Sequence, residues 1–164
     1  MKTLFLGRHA KSSWNDSGLS DFERPLNDRG ERDAPEMGRR LAQNHRTADV
    51  ILCSAAVRAR TTAAILAKEW GYEGELLLEP NLYEASPSQM LDFIQELEDD
   101  ATSALVVAHN PTITWLANLL GNLSIGNVPT CGIVALKIPC DNWSEVEVGR
   151  AELIEFDFPK KVEA

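Results

Sequence analysis

Short apolar runs alternate with amphipathic segments of helical period along this chain, and the alternation constrains its fold more than any other feature. Apolar runs predict strands at about residues 3–7, 49–53, 75–78, 104–108 and 131–138. Between them, apolar stripes predict helices over 30–44, 57–70, 87–98 and 111–120. An alternating stretch at 144–157 predicts one or two late strands, antiparallel to 131–138. We therefore expect an α/β fold, a three-layer αβα sandwich with a mostly parallel central sheet.

Boundary signals support two of the predicted helices. Ser86 as N-cap, Pro87 at the first position and Gln89 three residues after the cap form a complete start signal. Asn110 and Pro111 repeat the cap and first-turn proline for the fourth helix. The chain of 164 residues shows neither a repeat nor a linker, so residues 1–164 are expected to form one domain.

The composition excludes several classes of function. A net charge of −9 argues against nucleic-acid binding and against binding to anionic membranes. No apolar stretch approaches the roughly 20 residues that a membrane-spanning helix needs. The N-terminal residues enter a predicted strand without the apolar core of a secretory signal, so we expect a cytoplasmic protein.

Two of the three histidines follow predicted strands directly. Arg8 and His9 end the apolar run 4–7, and His109 ends the run 105–108. Ligands of open α/β sheets bind beyond the carboxyl ends of the strands. If the two strands are parallel neighbours, His9 and His109 converge on one pocket.

The loops at these strand ends suit a phosphoryl group. Arg8 and Arg58 offer planar guanidinium groups that match phosphate oxygens, and a helix start at Pro111 offers unpaired N–H groups. A neutral imidazole such as that of His9 can attack phosphorus and carry the group as a covalent intermediate. The arginines and His109 would stabilise the charge on the transferring group, and this chemistry requires no metal.

These loops resemble the signature of the histidine phosphatase superfamily, whose fold is phosphoglycerate mutase-like. Residues 6–10 (LGRHA) are similar to its first block, 54–62 (SAAVRARTT) to its S-x-x-x-R-A-x-x-T block, and 107–110 (VAHN) to its third. Residues 24–30 (RPLNDRG) are similar to the R-P-L-x-x-x-G segment of small SixA-type phosphohistidine phosphatases. Ala10 stands where glycine is commoner in the family.

The resemblance implies a role for each matching residue. His9 would be the nucleophile, and the phosphate pocket would consist of Arg8, Arg24, Arg58 and His109. For Arg24 a second interpretation is open, in which it only anchors the long loop 10–29.

Glu84 bears on the identity of the leaving group. It precedes the predicted helix 87–98, where many family members place a general acid. A phosphoester leaves as an alkoxide and needs a proton, whereas phosphohistidine leaves as an imidazole with a pKa near ~6.5 and needs little help. Glu84 is therefore either a catalytic acid or a solvated charge near the helix start.

The interval between the second and third blocks is short. Only 51 positions separate Arg58 from His109, which leaves little room for a lid over a small substrate. We therefore expect a phosphatase without cofactor that acts on a phosphorylated protein, such as a histidine phosphotransfer domain in signal transduction. Two alternatives stay open: a phosphomonoesterase for small molecules on the same site, and a non-catalytic phosphate-binding module.

Overall fold

The structure, a computed structural model, describes residues 1–161, so the last three positions of the predicted 1–164 domain lie outside the described residues. The strands are β1 (Lys2–Arg8), β2 (Val50–Ser54), β3 (Leu76–Glu79), β4 (Ser103–Ala108), β5 (Ile133–Ile138) and β6 (Glu152–Asp157). The helices are α1 (Asp28–Asn44), α2 (Val57–Trp70), α3 (Pro87–Gln95) and α4 (Thr112–Gly121). Short 3-10 helices span Asp21–Glu23, Pro80–Leu82 and Trp143–Glu145. Over residues 1–161, no helix has the length and apolarity to span a bilayer.

The six strands form one sheet in the order β3-β2-β4-β1-β5-β6. The pairs β2·β3, β2·β4 and β1·β4 are parallel, whereas β5 runs antiparallel to β1 and β6 antiparallel to β5. The prediction of an α/β fold with a mostly parallel sheet is confirmed. In this order, the carboxyl ends of β2, β4 and β1 are neighbours at one edge of the sheet.

Helices cover both faces of the sheet because the central strands are apolar on both sides. Leu4 and Leu6 of β1 point into a core shared with α3 and α4. Phe5, between them, points into the opposite core, which α1 and α2 complete. The period-two alternation of side chains along each strand therefore distributes one apolar run between two layers.

The predicted late strand stretch, 144–157, begins too early in the chain. Only Glu152–Asp157 pairs with β5, whereas Trp143–Glu145 forms a 3-10 helix. The Trp143 side chain is fully buried, and its indole N–H donates to the Ala101 carbonyl at 2.9 Å. Burial of this large ring outweighs the local alternation, which by itself favours a strand.

The predicted starts of α3 and α4 are correct to within one residue, and α1 begins at Asp28, two residues before its predicted start. In α3, Ser86 accepts from the Gln89 N–H and Gln89 accepts from the Ser86 N–H, as the capping-box signal predicts. In α4 the N-cap position falls on Pro111 instead of the predicted Asn110, because Thr112 is the first helical residue. The Asn110 side chain nevertheless caps the helix, since its oxygen accepts from the N–H and hydroxyl of Thr114.

Candidate active site

His9 and His109 meet because their strands are parallel neighbours. The register places Arg8 of β1 opposite Ala108 of β4, and the His9 N–H donates to the Ala108 carbonyl at 3.1 Å. The two imidazole centroids are 5.2 Å apart. One sheet edge therefore holds both rings in the arrangement that their positions after β1 and β4 predict.

The tautomer of His9 follows from its surroundings. Its Nδ1 lies 2.7 Å from the Ala10 carbonyl oxygen, which can only accept, so the proton of the neutral ring is on Nδ1. The other nitrogen, Nε2, accepts from Arg58 Nε at 3.4 Å. Burial, together with the positive charges of Arg58, Arg8 and Arg24, lowers the pKa of His9 to about 4. Near neutral pH, His9 thus presents an unprotonated Nε2, the form that a nucleophile requires.

His109 meets its protein partner through Nε2 and not through Nδ1. Its Nε2 lies 2.8 Å from the hydroxyl of Ser54, the last residue of β2. That hydroxyl also accepts from the Ala56 N–H at 3.3 Å. When its own proton is directed to Nε2, the imidazole proton of His109 lies on Nδ1. Burial, then the neighbouring His9 and Arg58, lower the pKa of His109 to about 3. In that arrangement the neutral His109 has an Nδ1 donor directed at the site.

Two buried nitrogen atoms of the site have no hydrogen-bond partner among residues 1–161. Among residues 1–161, the buried side-chain nitrogen atoms without a hydrogen-bond partner are Arg8 Nε and His109 Nδ1. Arg8 is held at its other end, where Nη1 donates to the Val128 carbonyl at 3.0 Å. Buried polar groups are almost always paired in folded proteins. Two such exceptions on residues that flank His9 are typical of a site for an anionic group.

The block 54–62 places Arg58 in the first turn of α2. The Thr62 hydroxyl donates to the Arg58 carbonyl at 2.7 Å and accepts from the Ala10 N–H at 2.9 Å. Since Thr62 lies one helical turn after Arg58, this bond pair ties the loop of His9 to the helix that carries the arginine. The Arg58 guanidinium donates to Asp21, from Nη1 to the carbonyl oxygen at 2.6 Å and from Nη2 to the carboxylate at 3.0 Å.

Arg24 is buried and anchors the loop. Its Nε donates to Asp21 at 3.0 Å and its Nη1 to the Ser12 hydroxyl at 2.8 Å. The guanidinium stacks on the ring of Trp14, 3.5 Å from the centroid. The structure thus shows the anchoring role, while its charge also reaches His9 and lowers the pKa of that ring. Contact of Arg24 with a phosphate stays a prediction.

The segment 24–30 ends in a glycine that the packing requires. A Cβ atom on Gly30 would lie 2.2 Å from the carbonyl oxygen of Lys11, so the first turn of α1 can approach the loop only without a side chain. Ala10, by contrast, is buried and is not among the described residues with positive φ. The turn after His9 therefore does not need the conformational freedom of glycine.

Glu84 is exposed and lines a groove of about 550 Å³ together with neighbours that include Asp92 and Glu96. Within residues 1–161, no hydrogen bond or ion pair joins Glu84 to either site histidine. The preceding residue, Tyr83, does reach the site: its ring centroid is 5.5 Å from that of His109. A catalytic role for Glu84 stays a prediction.

Three residues in contact with the predicted site were not singled out by the sequence. Ser54 was visible as the first residue of its block and as the last residue of a strand. Asp21 stands three positions before Arg24, a spacing that suggests an ion pair within one turn. Tyr83 gave no signal beyond its place beside Glu84, because its contact with Asp21 joins residues 62 positions apart.

Comparison with known proteins identifies the family. The family model described as histidine phosphatase superfamily (branch 1) matches residues 4–90. The chain belongs to the histidine phosphatase superfamily. An uncharacterised protein of Mycobacterium tuberculosis is 36% identical over 163 residues, which cover 93% of this chain and 99% of the relative.

Solved structures of this superfamily match nearly the whole chain. A structure from Nakamurella multipartitia has a TM-score of 0.83 and 26% identity, and covers 98% of this chain and 97% of its own. A second, from Agrobacterium tumefaciens, has a TM-score of 0.81 and 27% identity, and covers 96% of this chain and 98% of its own. Both are described as candidate SixA phosphohistidine phosphatases. The phosphoglycerate mutase-like fold that the sequence motifs imply is thereby confirmed, and the chain is a phosphatase by family.

Proposed function

We propose that this superfamily member hydrolyses phosphohistidine on a protein through a covalent phospho-His9 intermediate. The observation that carries the proposal is the state of His9. Its Nε2 is unprotonated at neutral pH and lies beside Arg58, because Nδ1 is committed to the Ala10 carbonyl. A nucleophilic nitrogen beside a guanidinium suits attack on phosphorus.

The reaction consists of two in-line transfers. In the first, His9 Nε2 attacks phosphorus, the bond from phosphorus to the substrate imidazole breaks, and that imidazole takes up a proton from solvent as it leaves. In the second, water attacks the phosphorus of phospho-His9, the N–P bond breaks, and inorganic phosphate departs. Arg8, Arg58 and the Nδ1 proton of His109 stabilise the negative charge on the phosphoryl oxygens in both steps. Glu84 assists the attacking water by taking up its proton, or His109 assists by orienting the water through Nδ1–H.

Three observations support phosphohistidine as the substrate. An imidazole leaving group needs little protonation, and no contact ties Glu84 to the histidine pair within residues 1–161. The segment between Arg58 and His109 is filled by α2, β3, α3 and β4, which leaves little chain for a lid. The SixA-type structures are 26% and 27% identical to this chain over nearly its full length. The partner would be a phosphorylated protein, such as a histidine phosphotransfer domain in cytoplasmic signalling.

A small-molecule phosphomonoesterase is the second candidate. The groove that Glu84 lines together with Tyr83 favours it, because Tyr83 also contacts Asp21 and so joins the groove to the arginine pocket. A small ester bound there could receive a proton from Glu84.

The test compares phosphate release from a phosphohistidine-bearing protein with release from p-nitrophenyl phosphate. His9→Ala sets the background, and Glu84→Gln separates the two substrate classes. We expect fast release from the protein, slow release from the ester, and little effect of Glu84→Gln on the protein substrate. Faster turnover of the ester together with a loss in Glu84→Gln would favour the phosphomonoesterase. Absence of a trapped phospho-His9 and of turnover above the His9→Ala background would leave the phosphate-binding module.

A further inference from the structure

Asp21 connects the arginines of the site to one another. It begins the 3-10 helix Asp21–Glu23, in the loop between β1 and α1. One carboxylate oxygen accepts from Arg24 Nε at 3.0 Å. The other accepts from Arg58 Nη2 at 3.0 Å and from the hydroxyl of Tyr83. Both oxygens are thus engaged, although the side chain is 47% exposed.

The contacts with Asp21 determine how Arg58 faces His9. A guanidinium carries five N–H groups in a rigid plane. Asp21 accepts from Nη1 through its carbonyl oxygen and from Nη2 through its carboxylate, so the outer end of that plane is held at two points. The Nε edge then faces His9 Nε2 at 3.4 Å. That distance is long for a hydrogen bond, so the Nε proton is available to a phosphoryl group that arrives at Nε2.

We propose that Asp21 is a positioning residue of the phosphoryl-transfer site, which holds Arg58 by its outer nitrogen atoms so that the Nε edge meets the phosphoryl group on His9. The assignment rests on the function proposed above. The neutral ring of His9 attracts the Arg58 guanidinium only weakly. The two contacts with Asp21 therefore explain why that guanidinium has a defined orientation.

The charge of Asp21 is suited to this role and unsuited to proton donation. The hydrogen bond from Tyr83, followed by those from Arg58 and Arg24, lowers the pKa of Asp21 to about 2. The carboxylate therefore stays ionised over the working range of a phosphatase and accepts from both arginines throughout. A general acid would need a proton at that pH.

A competing role for Asp21 predicts the opposite change in phosphate affinity when its charge is removed. A carboxylate bound to two arginines imitates a phosphate, so Asp21 could occupy the place of the substrate and be displaced by it. Under that role, neutralising Asp21 strengthens phosphate binding. Under the positioning role, the same change weakens binding, because the amide of asparagine turns a donor toward one of the two guanidinium groups.

The test uses Asp21→Asn, with Asp16→Asn as a matched control. Asp16 is an exposed carboxylate of the same loop, and its side chain accepts only the local Gly18 N–H within residues 1–161. We expect Asp21→Asn to lower kcat/KM by about 10- to 100-fold, the loss that misplacement of a charge-stabilising group produces. Calorimetric titration with inorganic phosphate should show weaker binding. Asp21→Glu, which restores the charge, should recover part of the activity, and Asp16→Asn should resemble the wild type.

A double-mutant cycle with Arg58→Ala tests whether Asp21 acts through Arg58. If it does, Asp21→Asn has little further effect on kcat/KM once Arg58 is absent. Tighter phosphate binding by Asp21→Asn, unchanged kinetics, or additive effects in the cycle would each overturn the positioning role while the wild type remains active. A wild type that neither turns over the two substrates nor binds phosphate would instead overturn the proposed function, and the positioning role with it.

Discussion

Two neutral imidazoles, His9 buried and His109 half-buried, make this protein lose stability in mild acid. A histidine of the unfolded chain binds a proton below pH ~6.5. In the folded protein the pKa is lowered to about 4 for His9 and to about 3 for His109. Between these limits the unfolded state binds more protons, so the free energy of unfolding falls as the pH falls. The slope is about 1.4 kcal/mol per pH unit at full protonation of the unfolded imidazole, which is only half protonated at pH ~6.5. The loss therefore amounts to about 2 kcal/mol per histidine between pH ~6.5 and pH ~4.5.

His9→Asn isolates one of these contributions. Urea unfolding at pH ~7 and pH ~4.5 gives the acid-induced loss for each protein, and carboxylates shared by both proteins cancel in the comparison. We expect the loss in His9→Asn to be smaller than in the wild type by about 2 kcal/mol. Ala10→Gly, a buried neighbour without a titrating group, should shift the stability equally at both pH values. An acid-induced loss in His9→Asn as large as in the wild type would refute the neutral state of His9, and with it the nucleophile.

Three further outcomes test other parts of the site. The kcat/KM value should persist below pH ~6 and fall only near the lowered pKa of His9, about 4, because protonation there removes the Nε2 lone pair; a midpoint near ~6.5 would contradict this. Ser54→Ala should lower kcat/KM about tenfold, because His109 loses the hydrogen bond that holds its Nε2 and orients its ring; unchanged kinetics would show that Ser54 is dispensable. Gly30→Ala should cost at least about 1 kcal/mol in urea unfolding, since its Cβ would meet Lys11 at 2.2 Å, and wild-type stability would contradict that close approach.

Local patterns predict most of the secondary structure because period and capping are local properties. The capping box at Ser86 depends on residues three positions apart, and it is present in the structure. The region around Trp143 shows the limit of such patterns. Its alternation favours a strand, yet the indole finds a buried place against Ala101, 42 positions earlier in the chain. Contacts of that range leave no trace in a short window of sequence.

The convergence of His9 and His109 was predictable for a topological reason. Both follow apolar runs, and parallel strands end at the same edge of a sheet. What the pattern did not contain was the sheet order, which places β4 between β1 and β2 and so brings Ser54 to His109. The role of Glu84 was left open by the sequence and stays a prediction, since its neighbour Tyr83 makes the contacts with the site.

By itself, the sequence determined the α/β fold, the family and the two histidines after their strands, because these depend on local period and on motifs within single loops. Only the tertiary structure decided the chemical state of the site. The tautomer of His9 follows from the Ala10 carbonyl, His109 Nε2 meets the Ser54 hydroxyl, and Arg58 donates to Asp21, 37 positions away. Protonation and orientation are set by burial and by hydrogen-bond partners, and both exist only once distant segments of the chain have packed together.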